Sequence, residues 1–113
     1  MTYPITLTAT LAIDPGAAQA AEAARDEVAE AVGRGGDGGD LALTAGWENG
    51  NAILTIRVGA ASQAAVDRHL KEHGPLYAAF DGVARVTGVR VEGAVDEATL
   101  AALKRLTSVV ETA

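Results

Sequence analysis

The sequence has no cysteine, so it can build neither a disulfide framework nor a thiolate nucleophile, which fits a reducing compartment. It has no apolar run approaching the roughly 20 residues that a bilayer-spanning helix needs. A leader signature is also missing. Ala18-Gln19-Ala20 superficially resembles a signal-peptidase site, but no positively charged segment and no continuous apolar stretch precede it. A cytoplasmic location, with no membrane partner, is therefore expected. Clustered cations are absent too: 9 Lys and Arg are scattered among 15 Asp and Glu, for a formal charge of −6. That balance argues against a nucleic-acid or anionic-membrane surface, because neutralising phosphates takes a basic patch.

What is present is core material. With 113 residues, 49% hydrophobic and 21% charged, the chain reads as one globular domain. Its first segment alternates: Tyr3, Ile5, Leu7, Ala9, Leu11 and Ile13 are interleaved with Pro4, Thr6, Thr8, Thr10 and Ala12. Period-two alternation puts one side of a strand on a core and leaves a row of threonines on the other. The run breaks at Asp14-Pro15-Gly16, with Asp14 placed as an N-cap and Pro15 in the first turn of a helix over Ala17 to Val32. Its apolar stripe is mostly alanine, so that helix must pack close to whatever it covers. Gly33 ends it, and Gly33 to Asp40 reads as a flexible connector. A phosphate-loop reading fails, because the segment lacks a Lys-Ser/Thr ending, follows a helix and carries aspartates.

Leu41 to Trp47 and Ala52 to Val58 flank Glu48-Asn49-Gly50-Asn51, a strong hairpin signal. Ser62 then caps a helix over Gln63 to Glu72, which Gly74-Pro75 interrupts. Beyond it the reading forks. Either a strand runs from Val83 to Glu92 with a kink at Thr87-Gly88, or the helix persists to about Arg85 and only Gly88 to Gly93 is strand. Asp96 opens a terminal helix with Leu100, Leu103, Leu106 and Val110 on one side.

The order βαββαβ is the split βαβ, or ferredoxin-like, arrangement: an α+β fold with a four-stranded antiparallel sheet and both helices on one face, here followed by a C-terminal helix. Residues 1–93 would form this unit, and 94–113 an amphipathic helix packed on the same domain or on a partner. The bare sheet face would carry Thr6, Thr8, Thr10, Thr44, Ile53, Thr55 and Arg57, which is small and mildly polar for a solvated face. A cover is expected, either the same face of a second subunit, giving a homodimer, or the terminal helix.

The segments Ala9-Thr10-Leu11-Ala12-Ile13-Asp14-Pro15-Gly16, Ile53-Leu54-Thr55-Ile56-Arg57, and Ala64-Ala65-Val66-Asp67-Arg68-His69-Leu70 with Ala79-Phe80 resemble the dimeric α+β barrel superfamily, in particular its antibiotic-biosynthesis-monooxygenase type. The likeness covers roughly Tyr3 to Gly93. It implies a homodimer and a small apolar or aromatic ligand. If the protein is an enzyme, it implies cofactor-free oxidation or cyclisation of an aromatic or polyketide-like compound, with His69 or Arg57 assisting proton removal. Haem-degrading relatives use an Asn on the first strand and a Trp closing the third. Here the first strand has no Asn and the third ends Arg57-Val58-Gly59, so haem chemistry is disfavoured.

The candidate site residues are few. His69 and His73 could project from one helix face, but without a following Glu or an obvious third ligand the pair does not call for a metal. Either His69 packs at the helix edge, or it serves as a general base in a pocket. Arg57 could orient a phenolate or carboxylate, or pair with an acid across a dimer. Thr8, Thr10 and Thr55 would line the ligand space between two facing sheets. Trp47 either packs in the core or stacks on an aromatic ligand. Tyr77 and Phe80 line a cavity mouth or staple a loop. No Ser/His/Asp set can be nominated, so a non-enzymatic interaction module, docking through the Thr-rich face or the terminal helix, stands as the alternative. An amino-acid-sensing domain of ACT-like architecture shares the element order, but would normally accompany another domain.

Overall fold

A computed structural model describes residues 3–34, 41–50, 52–72, 80, 82–105 and 109–112. The elements are β1 (Ile5–Ile13), α1 (Ala18–Arg34), β2 (Leu41–Glu48), β3 (Ile53–Ala60), α2 (Gln63–Glu72), β4 (Ala84–Glu92), α3 (Glu97–Lys104) and β5 (Val110–Thr112). They form one sheet in the order β2-β3-β1-β4-β5. The alternating first strand takes the centre, antiparallel to β3 and β4, with β2 antiparallel to β3. Among the described residues, no helix is long and apolar enough to cross a membrane.

The expected four-stranded antiparallel sheet is therefore corrected to a five-stranded mixed one. The terminal helix stops at Lys104, with Arg105 as its C-cap. Val110, expected on that helix's stripe, instead opens β5 and pairs in parallel with Val89 of β4. The reason lies in the tail's composition: Val109, Val110 and Thr112 are β-branched, and β4 would otherwise present an unpaired backbone edge. Leu106 lies outside the described residues. Residues 94–113 thus contribute a strand to the same sheet as well as a helix.

The fork before β4 resolves in favour of the longer strand. Thr10 pairs with Gly88 and Leu11 with Val86, so Thr87 is an extra residue in a bulge, and its hydroxyl donates to the Thr10 carbonyl at 3.1 Å. At the first helix the expectation shifts by a turn. Asp14-Pro15-Gly16-Ala17 is a separate β-turn with Gly16 at φ 80°, and the Ala17 N–H donates to the Asp14 carbonyl at 3.0 Å, so α1 begins at Ala18 without an Asp14 cap. The hairpin turn is as the Asn-Gly pair predicts, with Asn49 at φ 52° and Gly50 at φ 61°. Ser62 caps α2, accepting from the Ala65 N–H at 3.2 Å.

The core lies on one side of the sheet. Ile5, Leu7 and Leu11 of β1, Leu54, Ile56 and Val58 of β3, and Val89 and Val91 of β4 meet Ala21, Ala24 and Val28 of α1, Ala65 and Val66 of α2, and Leu103 of α3. The alanine stripe of α1 is buried as its need for close packing implies. α3 lies on this same side, tied to α2 through Gln63, so the terminal helix does not cover the Thr-rich face. Tyr3 departs from the alternation as well. Pro4 separates it from β1, and its ring lies across Gly59, where an added Cβ would meet the ring at 2.6 Å.

Candidate functional site

Strand register sorts the nominated residues onto two faces. On the open face, Thr8 stands between Arg57 and Arg90, and Thr10 between Thr55 and Gly88. The Thr8 hydroxyl is shielded from solvent and has no hydrogen-bond partner among the described residues. A hollow of about 250 Å³ opens beside it, bounded by Thr10, Gly88, Arg90, Val109 and Glu111. Trp47 is on the other side, opposite Leu54 and half-buried against the core. His69 is also on the helical side, only 2% exposed. The sheet therefore separates Arg57 and the threonines from His69 and Trp47. Tyr77 and His73 lie outside the described residues.

On the helical side a cavity of about 530 Å³ lies between the sheet and α2 and α3. Its floor is β1, β3 and β4, through Leu7, Ala9, Leu11, Ile56, Val58 and Val89. His69 and Leu70 of α2 and Ala102 and Leu103 of α3 form its roof, and Phe80 and Ala84 also line it. The cavity follows from one small residue. Along the core side of β1 the series runs Ile5, Leu7, Ala9, Leu11, Ile13, and only Ala9 is small. Although Ala9 sits mid-strand at the centre of the sheet, flanked by Ile56 and Val89, it stays half-buried because no side chain of the described residues fills the space above it. A ligand space was expected between threonines of two sheets; the larger cavity found lies on the opposite face, with aliphatic walls and a buried imidazole. Ala9, Ala84, Ala102 and Leu103 are lining residues that sequence reasoning missed, and the break at Ala9 in an otherwise bulky alternation is the signal that could have found them.

Chemically this is a largely apolar cavity with an imidazole in its wall. Such a group can take a proton from, or return it to, a phenol, enol or carbonyl held against it. The apolar walls favour a ligand that loses little hydration on entry.

The roof over the cavity is fastened by a short polar chain. The Gln63 side chain donates to the Thr99 hydroxyl at 2.9 Å and accepts from the Asp96 N–H at 2.8 Å, while Asp96 caps α3 by accepting from the Thr99 N–H at 2.8 Å. Hydrogen bonds from the Thr99 side chain, then from its backbone N–H, hold the Asp96 carboxyl below its ordinary range. A carboxylate whose folded pKa is depressed stabilises the fold above its unfolded value of about 3.9, and that stabilisation is lost as pH falls through the folded value. Asp96→Asn keeps a good cap without a titrating group. Thermal melting followed down through pH 4 should therefore fall more steeply for the wild type than for Asp96→Asn. Parallel curves would show that the cap contributes no proton linkage.

No family model matches the chain, and no curated protein matches it in sequence. Solved structures do resemble it in shape. MupZ from Pseudomonas fluorescens superposes with a TM-score of 0.71 over 96% of this chain and 88% of its own, at 11% identity. PA3566 from Pseudomonas aeruginosa superposes with a TM-score of 0.60 over 80% of this chain and 91% of its own, at 20% identity. At such identities what is shared is the α+β fold.

Proposed function

We propose that this protein binds a small apolar or aromatic molecule in the cavity beneath α2 and α3, as a homodimer joined through its Thr-rich sheet face. The observation that carries the reading is the 530 Å³ chamber with His69 in its wall. Together with the likeness of its segments to the antibiotic-biosynthesis-monooxygenase type of dimeric α+β barrel, this supports cofactor-free oxidation or cyclisation of an aromatic or polyketide-like compound. The step assigned to the chain itself is removal of a proton from a phenol or enol by His69. Arg57, Thr8, Thr10 and Thr55 are reassigned from the ligand to the subunit contact. The centre of that face is built of small side chains, and a second copy would supply partners for the Thr8 hydroxyl and for Arg57.

Native mass spectrometry of the protein purified from its own host reads both parts together. A dimer that retains a small-molecule mass is the expected result. In Thr8→Arg, a third guanidinium set directly between Arg57 and Arg90 and repeated on the second copy should split the dimer by like-charge repulsion, while the monomer keeps its ligand. A ligand-free protein that captures a protein partner through either face would instead favour the interaction-module reading. A monomer with ligand would retire the dimer alone.

A further inference from the structure

The smaller hollow, on the open sheet face, has a chemistry of its own. Gly88 leaves room there between Thr10 and Val109. Glu111 stands directly opposite Arg90 on the neighbouring strand, yet the two do not close on each other. Arg90 lies against Glu92, with its Nε 3.8 Å from the carboxylate, and Glu111 has no ion-pair or hydrogen-bond partner among the described residues. The wall of the hollow thus presents a spare carboxylate. Beside it is Val109, 48% exposed, the one exposed large apolar side chain among the described residues. An occupant suited to both has an apolar stem and a cationic head.

The same face carries such a group. Arg57 is exposed on β3, across Thr8 from Arg90, and it too has no partner among the described residues. One row across the sheet reads Thr44, Arg57, Thr8, Arg90, Glu111. Arg57 and Glu111 are therefore three strand spacings apart, about 14 Å, too far to pair within one subunit. A two-fold axis along the strands turns this row end for end on a facing copy. Centred on β1, it would set Arg57 over the partner's Arg90, cation on cation. Centred between β1 and β4, it sets Arg57 over the partner's Glu111, and Thr8, with its unpartnered hydroxyl, over the partner's Arg90. Facing sheets pack about 10 Å apart, a gap that an arginine stem crosses and a threonine does not. The face as a whole also suits self-association. Register puts Arg57, Arg85 and Arg90 on it against Glu48, Glu92 and Glu111, a balance that lets two otherwise acidic chains approach.

We infer that the two subunits interlock through a reciprocal ion pair, Arg57 of each entering the partner's hollow to meet Glu111 there. This rests on the dimer through the Thr-rich face and gives that contact its register. Because the contact is isologous, the pair forms twice, and each arginine stem covers a Val109.

The test is sedimentation equilibrium of the full chain carrying Arg57→Glu, Glu111→Arg, or both, at about 0.15 M salt. Each single reversal sets like charges opposite each other twice and should weaken the dimer by at least about tenfold. Far-ultraviolet circular dichroism should stay that of the wild type, since both residues are exposed. Mixing the two single variants, or combining both changes in one chain, restores opposite charges in both pairs and should return the affinity to near the wild-type value. Single variants that dimerise as the wild type does would overturn the ion pair while leaving the dimer. Weakened single variants that neither mixing nor the double change rescues would overturn it as well, because the two residues would then act apart from each other. A monomeric wild type would bring the inference down together with the dimer reading.

Discussion

Replacing Gly93 with alanine is expected to cost about 4 kcal/mol of folding free energy, a large share of the 5–15 kcal/mol typical of a domain, by roughly adding backbone strain to steric conflict. Gly93 leaves β4 at φ 97°, a left-handed conformation that side chains disfavour. A Cβ there would press into the Pro4 carbonyl oxygen and meet the Ile5 Cα at 3.1 Å, where the chain enters β1 beside the end of β4. Both neighbours are backbone, so neither can turn aside. Gly16 is the internal control. It also has a positive φ, 80°, but nothing lies within 4 Å of an added Cβ. Gly16→Ala should therefore cost only about 1 kcal/mol. Urea unfolding of the two variants separates strain from clash, and equal midpoints would mean that the approach of Gly93 to Pro4 is not a constraint on the fold.

The second large effect has opposite signs on stability and binding. Ala9→Leu should abolish ligand retention and, by filling empty apolar space, raise stability by about 1–2 kcal/mol. A functional cavity is a place where packing has been forgone, so filling it should stabilise the protein at the expense of function. The readouts are the melting temperature and the ligand mass in native spectra. Ligand that persists in Ala9→Leu would move the site away from the cavity. Destabilisation by more than about 1 kcal/mol would show that the space above Ala9 does not accept a side chain.

How much of this was legible beforehand can be traced residue by residue. The alternation from Ile5 to Ile13, the Asn49-Gly50 turn and the Ser62 cap each carry a local signal that suffices, whereas the Thr87-Gly88 kink belongs to one of two readings that the sequence leaves open. The end of the chain was not legible, because Leu100, Leu103, Leu106 and Val110 fit a helical period whether or not a helix continues. Only the presence of β4's open edge makes strand the better state for Val110. The site was half legible. His69 could be nominated from its helix, but which face of the sheet it shared with Arg57 depends on the strand register and on the side from which α2 packs. Alternation alone cannot say which of two faces holds a hollow. That depends on whether a roof residue reaches down to Ala9.

The central position of β1 also bears on the order in which the molecule assembles. β1 precedes both of its partners by a long stretch of chain: Leu7 pairs with Val58 and with Val91. Neither sheet neighbour of β1 can close until a long loop has been paid for in chain entropy, whereas β2 and β3 meet across a turn of a few residues. The Asn49-Gly50 hairpin is thus the cheapest nucleus. β1 must remain unpaired on both edges during synthesis, with its threonine row keeping one of its faces polar while it waits.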